Sequence, residues 1–196
     1  YNLGTDTWTA GDLSFTLYSP VCEAPDPQKA KTPVLKQAYA PVIPAELTID
    51  NTKGKKPRKA FFGYLPRNSS DATLREGCGK GTVGIGKGQG TAIFTDCSGI
   101  DAATGFNADE ILTQPVKENY SFGLGGTAML IATVPAGKKV TYRFAVCFYR
   151  GGVATTGMET RYLYTRYFKN IAEVGSYGLK NFAALKKQAG APNRLV

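Results

Sequence analysis

Histidine does not occur anywhere in the 196 residues. Its absence removes the base of every serine–histidine or cysteine–histidine acyl-transfer site, and there is no GxSxG elbow either. It also excludes zinc sites of mixed cysteine–histidine type. The four cysteines, Cys22, Cys78, Cys97 and Cys147, contain no CxxC pair, so an all-cysteine zinc site would lack its usual spacing, and no metal site is expected. An even count permits two disulfides, but a chain of this length needs no covalent staples. Cys147 sits in an apolar alternating segment, where a thiol behaves as a small hydrophobe. Free thiols and a reducing, cytoplasmic setting are therefore expected. No apolar run approaches the roughly 20 residues of a membrane span. Tyr1 to Asp6 carry neither the basic start nor the apolar block of a signal peptide.

Apolar residues make up 42% of the chain, enough for one sizeable core. The 23 glycines, 11 tyrosines and 10 phenylalanines favour a β-rich domain with many turns. The net charge of +9 raises the question of polyanion binding. Its lysines are scattered, however, over Lys53 to Lys56, Lys138-Lys139 and Lys186-Lys187. No basic stripe carries interleaved aromatics, so a solvated surface is the reading, with neither nucleic acid nor membrane as partner.

Alternation of apolar and polar residues predicts a strand over Leu13 to Tyr18, with Leu13, Phe15 and Leu17 on one face. Residues 20–44, rich in proline, lysine and alanine, read as a surface excursion. Ala45, Leu47 and Ile49 alternate again, Asp50 to Gly54 signal a turn, and Lys59 to Tyr64 return as a strand. Together these read as a hairpin with a longer loop. Residues 65–90 read as irregular, Thr91 to Thr95 as a short strand, and Asp109 to Val116 is ambiguous. Thr127 to Val134 reads as a strand, Pro135 to Lys138 as a turn. The next segment puts Val140, Tyr142, Phe144, Val146 and Phe148 on one face, with a mixed opposite face. Beyond about Thr160, Ile171, Val174, Gly178, Phe182 and Leu185 recur at helical spacing. The predicted architecture is a mainly β, antiparallel sandwich with a C-terminal amphipathic helix: a partial β-sandwich domain over 1–157 and a helical connector over 158–196.

Chemistry-bearing patterns are few. Gly79-x-Gly81-x-x-Gly84 matches a dinucleotide fingerprint, and Gly81 to Lys87 reads GxxxxGK. Both patterns need a helix to follow, yet a strand is predicted there, and Gly88 stands where the magnesium-binding hydroxyl belongs. A flexible glycine loop is the reading, and no cofactor is expected. Glycosidase chemistry needs two carboxyl groups across one sugar bond. Asp109-Glu110, Asp96 with Asp101, and Glu159 are the visible acids, most in turn-like surroundings where solvated charge is the default. The aromatic cluster Tyr162, Tyr164, Tyr167 and Phe168, with Arg161 and Arg166, can stack on sugars or pack on another domain. Packing is the commoner use of such rings.

Longer runs carry a family resemblance. Thr5 to Leu13, Phe15 to Val21, Thr48 to Thr52 and Arg58 to Gly63 resemble the N-terminal region of glycoside hydrolase family 52 β-xylosidases. So do Asp109 to Thr113, Glu118 to Gly125, Val134 to Gly152, and Tyr164 to Gly175 apart from Lys169. The match is weakest over Cys22 to Pro44 and the glycine loop. The resemblance implies an N-terminal β-sandwich followed by an (α/α)6 catalytic barrel, and retaining hydrolysis that releases xylose from xylosides. The motifs that carry the family's catalytic glutamate and aspartate do not occur here, so no catalytic residue carries over, and the chain is expected to be inactive alone. It resembles a piece cut at both sides. The terminal helix would lead toward the absent barrel. Arg150, Tyr162, Tyr164, Arg166 and Phe168 become candidates for the interface with that domain, with xylo-oligosaccharide as a further candidate partner. A stand-alone carbohydrate-binding module and a non-catalytic interaction domain are the alternatives.

Overall fold

The computed structural model describes residues 2–66, 72–88, 90–113, 125–155 and 157–195. Two antiparallel sheets face each other. The larger contains β1 (Thr5–Ala10), β2 (Leu13–Tyr18), β3 (Val42–Asp50), β5 (Thr73–Glu76), β6 (Val83–Lys87), β7 (Thr91–Thr95) and β10 (Lys139–Phe148). Its strand order is β1-β2-β3-β10-β7-β6-β5. The smaller contains β4 (Arg58–Tyr64), β8 (Ile100–Gly105) and β9 (Thr127–Val134), in the order β4-β9-β8. The sandwich expected from alternation is present. Ala45, Leu47, Ile49, Ile85, Ile93 and Phe144 of the large sheet meet Ala60, Ile100, Ala102, Leu130 and Val134 of the small one in a single core.

The helices complete the layers. Short α1 (Thr32–Ala38) lies within the proline-rich excursion and buries Leu35. Helix α2 (Ala108–Thr113) packs Ile111 against Met129 and Ile131 on the outer face of the small sheet. Helices α3 (Ile171–Lys180) and α4 (Phe182–Gly190) are separated only by Asn181. Asn170 caps α3, its side chain accepting from the Glu173 N–H at 2.9 Å, while the Glu173 carboxylate accepts from the Lys169 N–H at 3.0 Å. The predicted apolar stripe is thus real, and most of it is buried within this chain. Val174, Leu179 and Leu185 join Val42, Ala92, Phe94, Ala145 and Cys147 in a second core on the outer face of the large sheet. This explains the mixed face of β10. Tyr142 and Phe144 point into the sandwich, Ala145 and Cys147 point under the helices, and the strand is buried on both sides. Phe148, at the end of the strand, is exposed.

Two readings are corrected. β3 and β4 are not a hairpin: β3 pairs with β2 and β10, whereas β4 pairs with β9. The turn after Asp50 carries the chain from one sheet to the other, as does the turn at Pro135 to Lys138 between β9 and β10. Local alternation reports that two strands flank a turn, not that they share a sheet. The stretch 65–90 is also more regular than expected, for β5 and β6 lie within it. Glycine disguised β6. Gly84 stands on the strand because a Cβ there would run into the Phe94 ring, whereas at Gly86 the movable Glu76 carboxylate takes the space beside the backbone. Strands β1 and β8 and helix α1 also went unpredicted. Residues 118–124 of the Glu118 to Gly125 run, and 114–116 of the ambiguous stretch, lie outside the described residues.

The two sheet-to-sheet turns meet at one side chain. Asn51, 6% exposed, donates its side-chain amide to the carbonyls of Lys56 at 2.9 Å, Val134 at 3.1 Å and Pro135 at 3.0 Å. Its backbone N–H donates to the Lys138 carbonyl and its own carbonyl accepts from Gly137, each at 2.9 Å. Gly54 leaves room for this amide, since a Cβ there would strike the Asn51 side chain. Nearby, the Arg58 guanidinium at the start of β4 grips the Asp12 carboxylate of the β1–β2 turn, with Nε at 2.6 Å.

These contacts set two expectations for stability. Asn51→Ala leaves buried carbonyls without a donor, each costing about 1–3 kcal/mol. Urea denaturation should show a loss of about 3 kcal/mol, and Asn51→Asp, an acceptor facing acceptors, should do no better. A loss below about 0.5 kcal/mol, typical of neutral surface changes, would remove the clamp. Gly175 and Gly178 bring α3 close to the sheet, where a Cβ would meet the Phe94 ring and the Val42 methyl respectively. Alanine is favoured over glycine in a helix by about 1 kcal/mol, yet Gly175→Ala is expected to destabilise by about 1–3 kcal/mol through overpacking. A rise in the urea midpoint would contradict this close approach.

Candidate functional site

The interface candidates lie at one end of the large sheet, in the segment between β10 and α3. The Tyr164 hydroxyl accepts from the Arg150 N–H at 2.9 Å, pinning the loop after β10 onto a short 3-10 turn, Leu163–Arg166. Tyr162 stacks on Tyr164, centroids 5.4 Å apart and planes 8° from parallel, and Tyr149 lies on the other side of Tyr164 at 5.8 Å. Stacked rings of this kind form a stiff ledge. Arg150, Tyr162 and Arg166 are exposed, while Tyr164 is half-buried. Phe168 differs from them. It is 1% exposed, packed edge-on to Tyr177 at 5.4 Å, with the Lys36 ammonium 4.8 Å from its ring centre. Its ring is committed to the second core and offers no outward face.

Below the ledge opens a polar cleft of about 620 Å³, walled by Gln28, Glu159, Arg161, Tyr162, Thr165 and Arg166. A second cleft of about 430 Å³ lies between the glycine loop and α3, walled by Cys78, Lys80, Asp96, Arg143, Ser176 and Lys180. Glu159 lines the first and Asp96 the second, and neither cleft contains another carboxylate. Asp96 is occupied by a two-point ion pair with Arg143, at 2.8 and 2.5 Å. Glu110 closes a capping box at the start of α2: its N–H donates to Asn107 Oδ1 at 2.8 Å while its carboxylate accepts from the Phe106 N–H at 3.3 Å. Asp109 sits beside it on the first turn of α2, and Asp101 is exposed on β8. Among the described residues no acid dyad shares a cleft of these two, and no group of three or more cysteine, aspartate or glutamate side chains could hold a metal.

The glycine loop also resolves structurally. The Thr82 hydroxyl accepts from the Cys78 N–H at 2.9 Å and donates to the Gly79 carbonyl at 2.7 Å, closing a tight turn between β5 and β6. Gly81, with φ +74°, takes a left-handed conformation that this turn requires. The chain leaves the turn directly into strand β6, so no helix N-terminus faces a phosphate. All four cysteines are free thiols, Cys78 and Cys147 buried in the second core. A third, apolar cleft at Trp8 escaped sequence reasoning, because a single tryptophan among threonines has no periodicity to report it.

Several buried groups titrate high. Burial pushes the Cys147 thiol well above its ordinary value and the Tyr64 phenol up to about 12. Tyr18 is raised by burial and by donating its hydroxyl to Glu46 at 2.6 Å. The Lys186 ammonium of α4 holds the same carboxylate at 2.8 Å, and its own pKa is raised despite burial because that contact favours the charged form. In each case the folded chain keeps a proton that the unfolded chain has already released. The stabilisation is therefore complete below the unfolded values of 9.0 for thiol and 10.0 for phenol, and disappears as pH rises through the folded ones. The urea midpoint should be level between about pH 6 and 8.5 and fall steadily between about pH 9.5 and 11. A level midpoint to about pH 11 would contradict these environments.

The fold and clefts thus define a class: a helix-flanked antiparallel sandwich whose two polar clefts are each lined by a single carboxylate among the described residues. Comparison with known proteins gives the family. The model of glycosyl hydrolase family 52 matches residues 1–196. The chain is 45% identical over 198 residues to a beta-xylosidase of Geobacillus stearothermophilus, and 38% identical over 198 residues to another protein of that name from the same organism. All of this chain aligns in both cases, but it spans only 28% and 32% of the relatives' lengths. The chain belongs to glycosyl hydrolase family 52. No described helix is long and apolar enough to cross a membrane.

Proposed function

We propose that this chain is the N-terminal, non-catalytic sandwich of a retaining β-xylosidase, supporting and orienting a catalytic (α/α)6 domain supplied by the rest of the polypeptide. One observation carries the reading: the whole chain aligns with proteins named beta-xylosidase while spanning less than a third of their length. The geometry supports it. Retaining hydrolysis needs two carboxyl groups about 5–5.5 Å apart across the scissile bond. Asp96 and Glu159 lie singly in separate clefts, and Glu110 is bound into a helix cap. The catalytic pair is therefore assigned outside these residues, and activity to the whole enzyme.

The docking face is the ledge formed by Arg150, Tyr162, Tyr164 and Arg166. Exposed aromatic and guanidinium groups on a stiffened loop suit a domain contact. Residues 158–170, leading into α3, serve as the start of the connector, while α3 and α4 anchor it to the sandwich. The free thiols support a reducing, cytoplasmic location. Tyr162 also favours a second reading, direct contact with xylo-oligosaccharide, because its ring overhangs the polar cleft.

The test uses the full-length enzyme and an aryl β-xyloside. Asp96→Asn and Glu159→Gln are expected to keep kcat, whereas loss of a true acid–base residue would lower it by about 10²–10⁴-fold. Arg166→Glu combined with Tyr162→Ser is expected to lower the melting temperature, or split one transition into two. Loss of turnover in either acid variant would relocate the chemistry to this chain. Unchanged melting, together with weaker xylo-oligosaccharide binding, would favour the sugar-contact reading over domain docking.

A further inference from the structure

The two sheets do not match in width. Among the described residues three strands face seven, and on β1 the Trp8 side chain stays 52% exposed. β4 is the last strand of the small sheet on that side. It pairs with β9 along one edge, and among the described residues no strand pairs with the other. Beside this open edge lies an apolar cleft of about 220 Å³ walled by Trp8, Leu13, Phe15, Leu47, Phe61 and Phe62. An aromatic row leads out to it from the core: Phe144 to Phe62 at 5.4 Å, Phe62 to Phe15 at 4.8 Å, Phe15 to Trp8 at 6.0 Å. The row ends in the open at Trp8, 52% exposed, and Phe61, on the opposite face of β4 from Phe62 but also lining the cleft, is 45% exposed.

Trp8 pairs with Phe15, and Phe15 with Leu47, so all three stand on the inner face of the large sheet. That face elsewhere is covered by the small sheet. The uncovered part is therefore the position of a fourth strand beside β4. An open β edge flanked by exposed aromatics invites aggregation, and native proteins cover or blunt such edges. The charges of β4 stand at its start, Arg58 held by Asp12 and Lys59 exposed, and the rest of the strand carries none. This chain spans less than a third of the relatives' lengths, which leaves ample polypeptide in such enzymes to cover the edge.

We infer that an extended segment of the same polypeptide, from outside residues 1–196, adds to the free edge of β4 as a further strand of the small sheet and seats apolar side chains on Trp8, Phe15 and Phe61. The occupant is fixed by two features together. A backbone edge calls for a strand, which main-chain hydrogen bonds recognise, and the adjoining cleft calls for alternate apolar side chains. This strand completes the sandwich whichever reaction the enzyme performs, so it stands apart from the xylosidase reading.

Two measurements on the full-length protein test it. Hydrogen exchange of a β4 with one partner would protect alternate amides between Arg58 and Tyr64 and leave the others fast. A β4 with two partners protects both sets, which is the expected result. A photoactivatable Trp8→p-benzoylphenylalanine variant should then crosslink within one chain to a peptide outside residues 1–196. Fast exchange at alternate β4 amides overturns the inference, and because it uses the unaltered protein it stands even if the variant fails to fold. A crosslink joining two chains, or one suppressed by added xylo-oligosaccharide, overturns it as well, by naming a second copy or a sugar as the occupant.

Discussion

The sandwich depends on the Asn51 side-chain amide. A two-sheet domain whose chain crosses between layers must bring strand ends together at corners, and corners expose backbone carbonyls that no ladder satisfies. Here two crossings, β3 to β4 and β9 to β10, are stacked against each other. One amide donates to carbonyls from both, and its own backbone closes the contact through Lys138 and Gly137. Asparagine suits the position because it is short, uncharged and carries two N–H donors on one atom. Aspartate would bring only acceptors, and leucine no polar atom at all. The neighbouring Asp50 carboxylate works differently. It is held down to about 2 by the Thr52 hydroxyl and then Lys139, and it orders the exposed side of the same turn.

At the far edge a second buried side chain does the comparable job. The Thr73 hydroxyl on β5 donates toward the carbonyls of Gly125 and Thr127, at 2.8 and 3.0 Å, stitching the edge of the large sheet to the start of β9. Between these two stitches the large sheet is buried on both faces. The strands that take this double burial are β3, β10 and β7, and their small residues mark where the helices press closest. Ala92, Ala145 and Cys147 lie under α3 and α4, and Gly175 and Gly178 face them from the helix. Bulk is supplied once, by Phe94, which fills the layer from the sheet side. Where the helix meets the sheet, one large ring against several small partners packs densely but tolerates few additions.

These particulars explain what could be read from the amino acids. β2, β9 and β10 were legible because each has at least three apolar residues at period two. The stripe of α3 and α4 was legible because its apolar residues keep helical phase across Asn181. β6 was not, since Gly84 and Gly86 erase the signal on one face, and the Phe94 ring that requires Gly84 comes from another strand and leaves no mark on the local pattern. The false hairpin arose the same way. Partners of β3 and β4 lie far along the chain in β10 and β9, Tyr64 opposite Ala128 and Asp50 opposite Lys139, and a turn motif says nothing about which sheet the chain enters next. Of the interface candidates, Phe168 read like its neighbours as one more aromatic in a cluster, and only the arrangement of α1 and α3 around it reveals that it faces inward.

The acids illustrate why chemistry was harder to read than fold. A strand announces itself through many residues, whereas a glycosidase site is two carboxyl groups and the space between them. Fifteen acids in a chain offer many formal pairs, and only their surroundings separate them. Here many carboxylates already answer to a structural partner: Asp12 to Arg58, Asp96 to Arg143, Glu46 to Lys186 and Tyr18, Glu110 and Glu173 to helix N-termini, whereas Glu76 on β5 is half-buried and its proton affinity is raised by that burial. A carboxylate fixed by a guanidinium is stabilised in its charged form and poorly suited to deliver a proton. A nucleophile or acid in a glycosidase must instead face the sugar, with its proton affinity set by an apolar wall or a like charge. Among the described residues neither polar cleft holds a second carboxylate, and the guanidinium that makes Asp96 a good fastener is also what keeps it from acting in such a pair.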